Sequence, residues 1–289
     1  MFSRRNFATA IITGAGLVAT PSAVSAQTAK APKVAPAAGS TWDAIMKRGV
    51  LRVGGPLGEP YYYRDIASGK TGDAQWIGIG PALGRLIAEV MGVKMHVIET
   101  SWATAPAGLR ADQFDVVFAF DMTPKRALAV DFLPTQWFWY PLGVLVRNGL
   151  SIKTWADLNK PGIRIGVNLG STNDAFATKN LRKAQINRFS TVDENIAAFE
   201  AGRIDVVMLV ATGTDLFAQH LGKGASIVPK PEVWYASNSA IRIEADKRWR
   251  EYLTLCAQYY YNTGKIVEIY DAFIRARGLD PRKMHSIVR

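Results

Sequence analysis

The sequence predicts an α/β fold in which mostly parallel sheets are flanked by helices. Short apolar runs rich in β-branched residues, such as "DVVFAF" (115–120) and "DVVMLV" (205–210), have the pattern of buried strands. Longer segments with helix start and stop signals lie between such runs. Strands that alternate with helices in this way are typical of parallel sheets with helices on both faces.

Residues 1–26 have the pattern of a secretory signal peptide. Two arginines precede a long uncharged stretch that ends in Val24-Ser25-Ala26, so cleavage is predicted after Ala26. The stretch "SRRNF" resembles a twin-arginine export signal. A membrane anchor is the weaker alternative, because the apolar core is shorter than the roughly 20 residues that a span needs. We therefore expect an exported protein, with a flexible Ala-, Pro- and Lys-rich leader at 27–40.

Composition argues against several classes of function. The formal charge is +11, and it falls to +9 when the two signal arginines are removed. Export and the even spread of cations argue against a nucleic-acid partner. The single cysteine, Cys256, cannot form an internal disulfide and is expected to be a buried thiol. His96, His220 and His285 are isolated, so we predict no metal site, and no motif indicates a cofactor.

The first half of the chain gives its elements in a clear order. A short helix in "TWDAIMKRG" (41–49) precedes a strand at 50–53, and a helix at 81–92 is closed by Gly92. The glycines of "GIGPALG" (78–84) lack the spacing of a dinucleotide-binding loop, so they indicate only a turn into that helix. Further along we predict a strand at 94–100, a helix at 105–113 and a strand at 114–120.

The second half repeats the alternation. Strands are predicted in "YPLGVLVR" (140–147), "RIGVNLG" (164–170), "RFST" (188–191) and "DVVMLV" (205–210). Helices are predicted from 172 to about 184 and at 193–202.

The stretch "DMTPKRALAVDFLPTQWFWY" (121–140) has an unusual charge pattern. Thr123 followed by Pro124 fits a helix N-cap with proline at the first helical position. Lys125 and Arg126 then fall in the first turn, where the helix dipole disfavours cations. Either Asp121 forms a local ion pair there or an external anion is bound, and these residues alone leave both open.

Six segments, in order and in register, carry a resemblance to a known family. The chain resembles the bacterial extracellular solute-binding proteins of the polar amino-acid type, family 3, over nearly all of residues 41–280. The segments are "TWDAIMKRGVLRVG", "WIGIGPALGRLIAEVMG", "LRADQFDVVFAFDMTPKRALAVDFLPTQW", "GIRIGVNLGSTND", "AFEAGRIDVVML" and "NTGKIVEIYDAF".

This resemblance implies a two-lobed periplasmic-binding-protein fold, often called a Venus flytrap. Two α/β lobes, joined by two crossing strands, would close on a ligand as a hinge. Lobe 1 would comprise 41–138 plus 236–289 and lobe 2 would comprise 141–232, with crossings near 138–141 and 233–236. The implied protein is a periplasmic monomer that delivers its ligand to a membrane ABC transporter permease.

The resemblance also implies a set of ligand contacts. Arg126 occupies the position that binds the ligand carboxylate, for which a planar guanidinium suits paired hydrogen bonds. Trp102 occupies the position of the aromatic that covers the ligand, and Tyr61 or Tyr63 would lie near the cleft. Ser171 with Asp174 also fits a helix capping box, so a structural role for Ser171 stays open. The remaining expected contacts are Thr123 in lobe 1 and a donor loop in lobe 2 formed by Asn168, Gly170, Ser171 and Thr172.

One position departs from the family pattern. Aligned through "RID", the aspartate that anchors the ligand amine is replaced here by Val210. An ammonium buried against valine would lack a partner, which costs on the order of several kcal/mol. Two hypotheses follow: Asp121 replaces the missing charge and clamps a zwitterion together with Arg126, or Asp121 pairs with Arg126 and the ligand is not an ordinary amino acid.

Two alternative functions stay open. A few relatives in this fold, the cyclohexadienyl dehydratases, use the cleft as an active site and also lack the amine-anchoring aspartate. Glu59 and Asp121 would be the candidate general acids here. Other relatives accompany exported quinoprotein dehydrogenases, but they carry a cysteine-containing stretch where this chain has "RVGGPLGEP" (52–60). We expect a binding protein without catalytic residues.

Overall fold

The computed structural model describes residues 39–289. The predicted signal peptide at 1–26 and most of the leader lie outside this range. Within it, no helix is both long enough and apolar enough to cross a membrane.

Among the described residues, four α-helices begin at a side-chain cap and three end at a glycine in left-handed backbone. Ser40 accepts a hydrogen bond from the Asp43 amide at the first helix, which ends at Gly49 (φ 66°). The helices are α1 (Thr41–Arg48), α2 (Ile79–Met91), α3 (Ala105–Arg110), α4 (Trp155–Leu158), α5 (Thr172–Asn180), α6 (Val192–Glu200), α7 (Ala211–Leu221), α8 (Arg248–Asn262) and α9 (Lys265–Ala276).

Most of the long strands coincide with apolar runs of the sequence, but the strand predicted in "RFST" (188–191) lies earlier, at Gln185–Phe189, where it pairs with Arg164–Asn168. The strands are β1 (Val50–Pro56), β2 (Tyr63–Arg64), β3 (Trp76–Ile77), β4 (Lys94–Thr100), β5 (Val117–Asp121), β6 (Asp131–Phe132), β7 (Phe138–Val146), β8 (Arg164–Asn168), β9 (Gln185–Phe189), β10 (Val206–Val210), β11 (Ala225–Ile227) and β12 (Trp234–Ile241).

The strands form two groups that share two long strands. In the first group β1 pairs with β4 in parallel, and β5 and β6 pair with the end of β12. In the second group β8 pairs in parallel with β9 and β10, while β10 and β11 pair with the end of β7. The starts of β7 and β12 pair with each other, Phe138–Pro141 against Trp234–Ser237. These two strands therefore connect the groups, and the predicted lobe boundaries stay a prediction.

The two groups use the same polar device at the start of a central strand. Asp115, two residues before β5, accepts hydrogen bonds from the amide and guanidinium of Arg52 on β1. Asp205, just before β10, accepts the same two kinds of bond from Arg164 on β8. Both carboxylates are buried, so each pair fixes the register of neighbouring strands through charge-assisted hydrogen bonds.

Large side chains fill the core beside the connecting strands. Trp137 is fully buried, and its indole donates to Ser239 Oγ at 2.7 Å. Tyr62 is also fully buried, and its hydroxyl bonds both the amide and the carbonyl of Phe118 at 3.0 Å. Gly80 makes room for that ring, since a Cβ there would lie 2.2 Å from the Tyr62 Cζ atom. Cys256 is buried and unpaired, as predicted.

Residues 277–289, which we call the C-terminal strap, cross the connecting strands. The His285 Nδ1 atom lies 2.7 Å from a carboxylate oxygen of Asp215 on α7. The Ile287 carbonyl accepts from the Trp139 amide of β7 at 2.9 Å. The Arg289 guanidinium lies 5.8 Å from the centre of the Trp139 ring. The strap thus joins α7 to the connecting strands.

Candidate functional site

A small cavity lies between the two strand groups. Its volume is about 50 Å³, enough for a few water molecules in its present state. The loop after β1, the ends of β5 and β10, and the segment after β8 all contribute to its walls. It is lined by Gly58, Glu59, Tyr61, Trp102, Ala119, Asp121, Arg126, Tyr140, Asn168, Ser171, Thr172, Asn173, Val192, Leu209 and Val210.

Arg126 is held from both sides of the cavity. Its Nη1 atom donates to the Asp121 carbonyl at 2.9 Å, and Nη2 donates to the Gly170 carbonyl at 3.1 Å. The guanidinium carbon lies 3.9 Å from the centre of the Phe120 ring, in a cation–π contact. Burial lowers the pKa of Arg126, although an arginine keeps its charge in proteins. The structure therefore fixes a half-buried cation between the two groups.

The turn that carries Arg126 differs from the predicted helix. The backbone after Pro124 makes only one 3-10 turn, Arg126–Leu128, because the chain must extend again to pair β6 with β12. Thr123 still caps this turn, since its hydroxyl accepts from the Arg126 amide at 3.2 Å. Lys125 is exposed at the start of the turn. A helix dipole therefore does not explain the position of the two cations.

Asp121 does not form the direct ion pair that was one of the alternatives. Among the described residues no nitrogen of Arg126 lies within 4 Å of the Asp121 carboxylate, and Arg126 contacts only the Asp121 carbonyl. The carboxylate instead accepts from the Thr172 hydroxyl across the cavity at 2.5 Å. Burial raises the pKa of Asp121, while Arg126, Thr172 and Tyr140 oppose that rise. Although the residue is part-exposed by surface area, its carboxyl group lies among protein atoms.

An irregular strand end directs these side chains. Ala119 has a φ of 55°, in the left-handed region that non-glycine residues rarely adopt. The pairing of β5 with β12 shifts register at this point, between Asn238 and Ala240. Bulges of this kind re-aim neighbouring side chains and are frequent beside functional sites. Here the irregularity sits in the cavity wall, between the core residue Phe118 and the pair Phe120 and Asp121.

Aromatic rings form one wall of the cavity. Tyr61 packs edge-on against Trp102, with ring centres 6.3 Å apart, and lies 6.1 Å from the Tyr140 ring. Trp102 stacks on Phe120, the ring that also contacts Arg126. Tyr63 does not reach the cavity. Its ring lies 4.2 Å from the guanidinium carbon of Arg277, outside the predicted position, because the turn at Gly58–Tyr62 separates it from Tyr61.

The segment after β8 supplies polar groups from the second strand group. Ser171 caps α5 by accepting from the Asp174 amide, and Asp174 accepts from the Gly170 amide rather than completing the predicted capping box. Asn168 and Asn173 are buried, and the Asn168 Nδ2 and Asn173 Oδ1 atoms have no hydrogen-bond partner within residues 39–289. Buried polar atoms are rarely left unpaired, so these two mark a place for a polar ligand or water.

Two further wall residues concern the ligand amine and acid chemistry. Val210, at the end of β10, lies in the cavity wall, so no carboxylate stands at the position of the family's aspartate. Glu59 enters the same wall, but Arg277 binds its carboxylate at 2.8 Å. Burial raises the pKa of Glu59, and the Arg277 bond opposes that rise. No cluster of metal-ligating side chains occurs within the described range.

A larger open groove adjoins the cavity at Arg126 and Trp102; we call it the outer groove. Its volume is about 990 Å³. The 3-10 turn and α3 form one side, and α5 and its following turn form the other. Its charged residues are Lys125, Arg126, Lys179, Arg182, Arg188 and Asp174.

The sequence-predicted residues separate into three sets: those that line the cavity, those that line only the outer groove, and Tyr63, which lines neither. Arg126, Asp121, Trp102 and Tyr61 line the cavity, together with Asn168, Ser171 and Thr172. Thr123 and Gly170 line the outer groove instead. Tyr140 and Asn173 were missed, although Asn173 lies inside the quoted segment "GSTND" and Tyr140 ends the "WFWY" run at the predicted crossing. No pattern in the sequence pointed to Val192 or Leu209 as wall residues.

Comparisons with known proteins identify the family of the chain. The bacterial extracellular solute-binding proteins, family 3, match residues 58–275. Cyclohexadienyl dehydratase of Pseudomonas aeruginosa is 26% identical over 220 residues, which cover 73% of this chain and 78% of that protein.

Two solved structures are also similar. The ancestral amino acid-binding protein AncCDT-1, a precursor of cyclohexadienyl dehydratase, is 27% identical with a TM-score of 0.71, covering 81% of this chain and 99% of that one. A substrate-binding protein of an amino acid ABC transporter from Streptococcus pneumoniae, bound to L-arginine, has a TM-score of 0.72 at 20% identity, covering 81% and 98%. The latter likeness shows the fold alone. Together they confirm the predicted two-lobed periplasmic-binding-protein fold.

Proposed function

The chain belongs to the bacterial extracellular solute-binding proteins, family 3, and from this premise we propose that it captures a small carboxylate-bearing ligand in the cavity. The ligand is an amino acid or a derivative of one, and the protein delivers it to the permease of an ABC transporter. The chain acts as a periplasmic monomer and catalyses no reaction. Residues 1–26 direct its export through a twin-arginine signal and are removed after Ala26.

One observation carries this proposal: the guanidinium of Arg126 is bound by carbonyls from both lobes. Its two hydrogen bonds use one N–H of each terminal nitrogen, and a guanidinium has five N–H groups. The remaining groups suit a ligand carboxylate, which arginine binds through parallel hydrogen bonds. Because Gly170 belongs to the second lobe, its bond to Arg126 orients the guanidinium only when the lobes approach. Ligand binding and hinge closure are coupled by that geometry.

The amine of the ligand binds Asp121 in place of the missing family aspartate. Asp121 lines the same cavity as Arg126 without pairing directly with it, so its carboxylate is available to an ammonium. Thr172, which donates to Asp121 across the cavity, would exchange that bond for one to the ligand. The unpaired atoms of Asn168 and Asn173 supply further contacts from the second lobe.

Thermal unfolding of residues 27–289 tests the binding function. The protein is heated with common amino acids, with carboxylic acids that lack the amine, and with small amines. A ligand that binds only the folded state raises the melting temperature by mass action. We expect amino acids to stabilise the protein, and neither class of analogue to do so. If only the amine-free acids stabilise it, the zwitterion clamp is wrong. If no compound does, the ligand-binding function itself is refuted.

A second candidate, a dehydratase acting on prephenate-like substrates, is favoured by one observation. Burial raises the pKa of two carboxyl groups in the cavity wall, Glu59 and Asp121, and a general acid needs such a raised value. A relative with that enzyme name is 26% identical over most of its length. Incubation with a prephenate-like substrate, followed by chromatography of the products, separates the candidates. A product that disappears in the Glu59→Gln variant would support the enzyme.

A further inference from the structure

We infer that the ligand carries a second anionic group, which the outer groove binds through Lys125 and Arg182. This inference rests on the proposed binding function and names the ligand class, an acidic amino acid. In this class one carboxylate lies on Arg126 in the cavity, and the second extends past Trp102 into the groove.

The outer groove is lined by more cationic than acidic residues. Five of its lining residues are cationic and only Asp174 is acidic. Arg188 binds the Asp174 carboxylate at 2.9 Å, so the negative charge of Asp174 neutralises that arginine. Within residues 39–289, Lys125, Lys179 and Arg182 have no carboxylate within 4 Å of their charged nitrogens. The groove therefore keeps a local excess of positive charge that protein side chains do not neutralise.

These cations come from both sides of the cleft. Lys125 directly precedes the 3-10 turn after β5, in the first strand group, whereas Lys179 lies at the end of α5 and Arg182 in the turn after it, in the second. Like charges on facing lobes repel each other when the cleft closes. An anion between them removes this repulsion, so it binds the closed form more tightly than the open form. A ligand without such a group leaves the repulsion in place.

The outer groove is continuous with the carboxylate site. Trp102, Arg126, Ser171 and Thr172 line both the cavity and the groove. A ligand whose first carboxylate binds Arg126 can therefore extend into the groove without crossing a wall. Inside the cavity, by contrast, no carboxylate is left for a cationic side chain, since Arg277 binds Glu59 and Asp121 is assigned to the ligand α-amine. The charges thus disfavour a ligand with a cationic side chain and favour an acidic one.

Calorimetric titration with isosteric pairs tests the inference. The pairs are L-glutamate against L-glutamine and L-aspartate against L-asparagine, with L-lysine as the cationic comparison. We expect the acidic member of each bound pair to bind more tightly. Its advantage should shrink between 20 mM and 200 mM added salt, because salt screens exposed charges.

Substitutions in the groove give the decisive comparison. Arg182→Gln should weaken the acidic ligand about 2- to 5-fold and leave its neutral isostere unchanged, as for an exposed ion pair. The double variant Lys125→Gln/Arg182→Gln should weaken it about 10-fold if the two effects add. Lys183→Gln removes the same charge from an exposed neighbour that does not line the groove, and should change neither affinity.

The outcomes separate this inference from the function beneath it. If neutral or cationic ligands bind as tightly as acidic ones, or if Arg182→Gln and Lys183→Gln have the same effect, the inference is wrong while the binding function stands. If no carboxylate-bearing ligand binds at all, the proposed function fails and the inference fails with it. All variants are first compared by thermal unfolding without ligand, so that a folding defect is recognised.

Discussion

Replacing Asp121 with asparagine should affect the empty protein and the ligand complex in opposite directions. Asparagine has the same size and can still accept from the Thr172 hydroxyl, so the contact across the cavity is kept. Burial raises the pKa of Asp121, so the folded state holds this proton more tightly than the unfolded state does. The wild type therefore loses stability as pH rises through the folded-state pKa, and asparagine removes that loss. Without ligand, Asp121→Asn should be at least as stable as the wild type at pH 7.

The ligand complex should be weakened strongly. Removing one partner of a buried charge pair costs about 2–5 kcal/mol, which corresponds to an affinity about 30-fold lower or more. At a ligand concentration 100 times the dissociation constant, binding raises the free energy of unfolding of the wild type by about 2.7 kcal/mol. A 30-fold loss leaves about 0.8 kcal/mol by the same relation. The rise in melting temperature should then fall from about 5–10 °C to about 2–3 °C.

Differential scanning fluorimetry with and without an amino-acid ligand measures both effects in one experiment. Asp43→Asn, an exposed aspartate on α1 far along the chain from the cavity residues, is the matched control and should behave as the wild type. A variant that keeps the full ligand-induced rise would show that Asp121 does not bind the amine. A variant that is much less stable without ligand would show that the ionised carboxylate stabilises the fold, against the reasoning from burial.

Three other changes have defined outcomes. Arg126→Lys should weaken ligand binding about 10- to 150-fold in calorimetry, because a lysine cannot replace the paired hydrogen bonds of the guanidinium; unchanged affinity would exclude Arg126 as the carboxylate site. Tyr62→Phe should lower the free energy of unfolding in urea by about 2–4 kcal/mol, since the amide and carbonyl of Phe118 lose their buried partner, whereas Tyr259→Phe, on an exposed ring, should change it little. His285→Asn should lower the free energy of unfolding more at pH 5.5 than at pH 8.5. The hydrogen bond to Asp215 raises the pKa of His285. The pair therefore contributes its full stability below about pH 6.5, and this stability is lost as pH rises through the folded-state pKa. An equal cost at both pH values would refute the charged pair.

The sequence allowed most strands to be placed, because strand burial leaves a direct trace in composition. "DVVMLV" became β10 with its bounds shifted by one residue, and every residue of that strand is buried. Helix ends were harder to predict, since tertiary pairing decides where a helix stops. The helix predicted to reach about residue 184 ends at Asn180, because the chain must turn before β9 pairs with β8.

The residues of the candidate site also differ in whether the sequence predicted them. Arg126 and Trp102 were found through the family resemblance, and the structure places both in the cavity wall. Tyr140 was missed because its position depends on how the connecting strands cross, which is a tertiary property without a local signal. The role of Asp121 also needed coordinates: proximity in sequence suggested an ion pair, but the irregular backbone at Ala119 precedes a carboxylate that bonds Thr172 instead.

The C-terminal strap adds a third tether between the lobes, beside the two connecting strands. Its start is fixed to the first lobe where Arg277 binds Glu59, and His285 is fixed to α7 of the second. The eight residues from 278 to 285 can span at most about 28 Å when fully extended. Opening of the cleft must therefore stay within that span or detach His285 from Asp215. Release of this chain end should therefore depend on pH, because the His285–Asp215 contact is strongest when the imidazole is protonated and the pKa of His285 is raised.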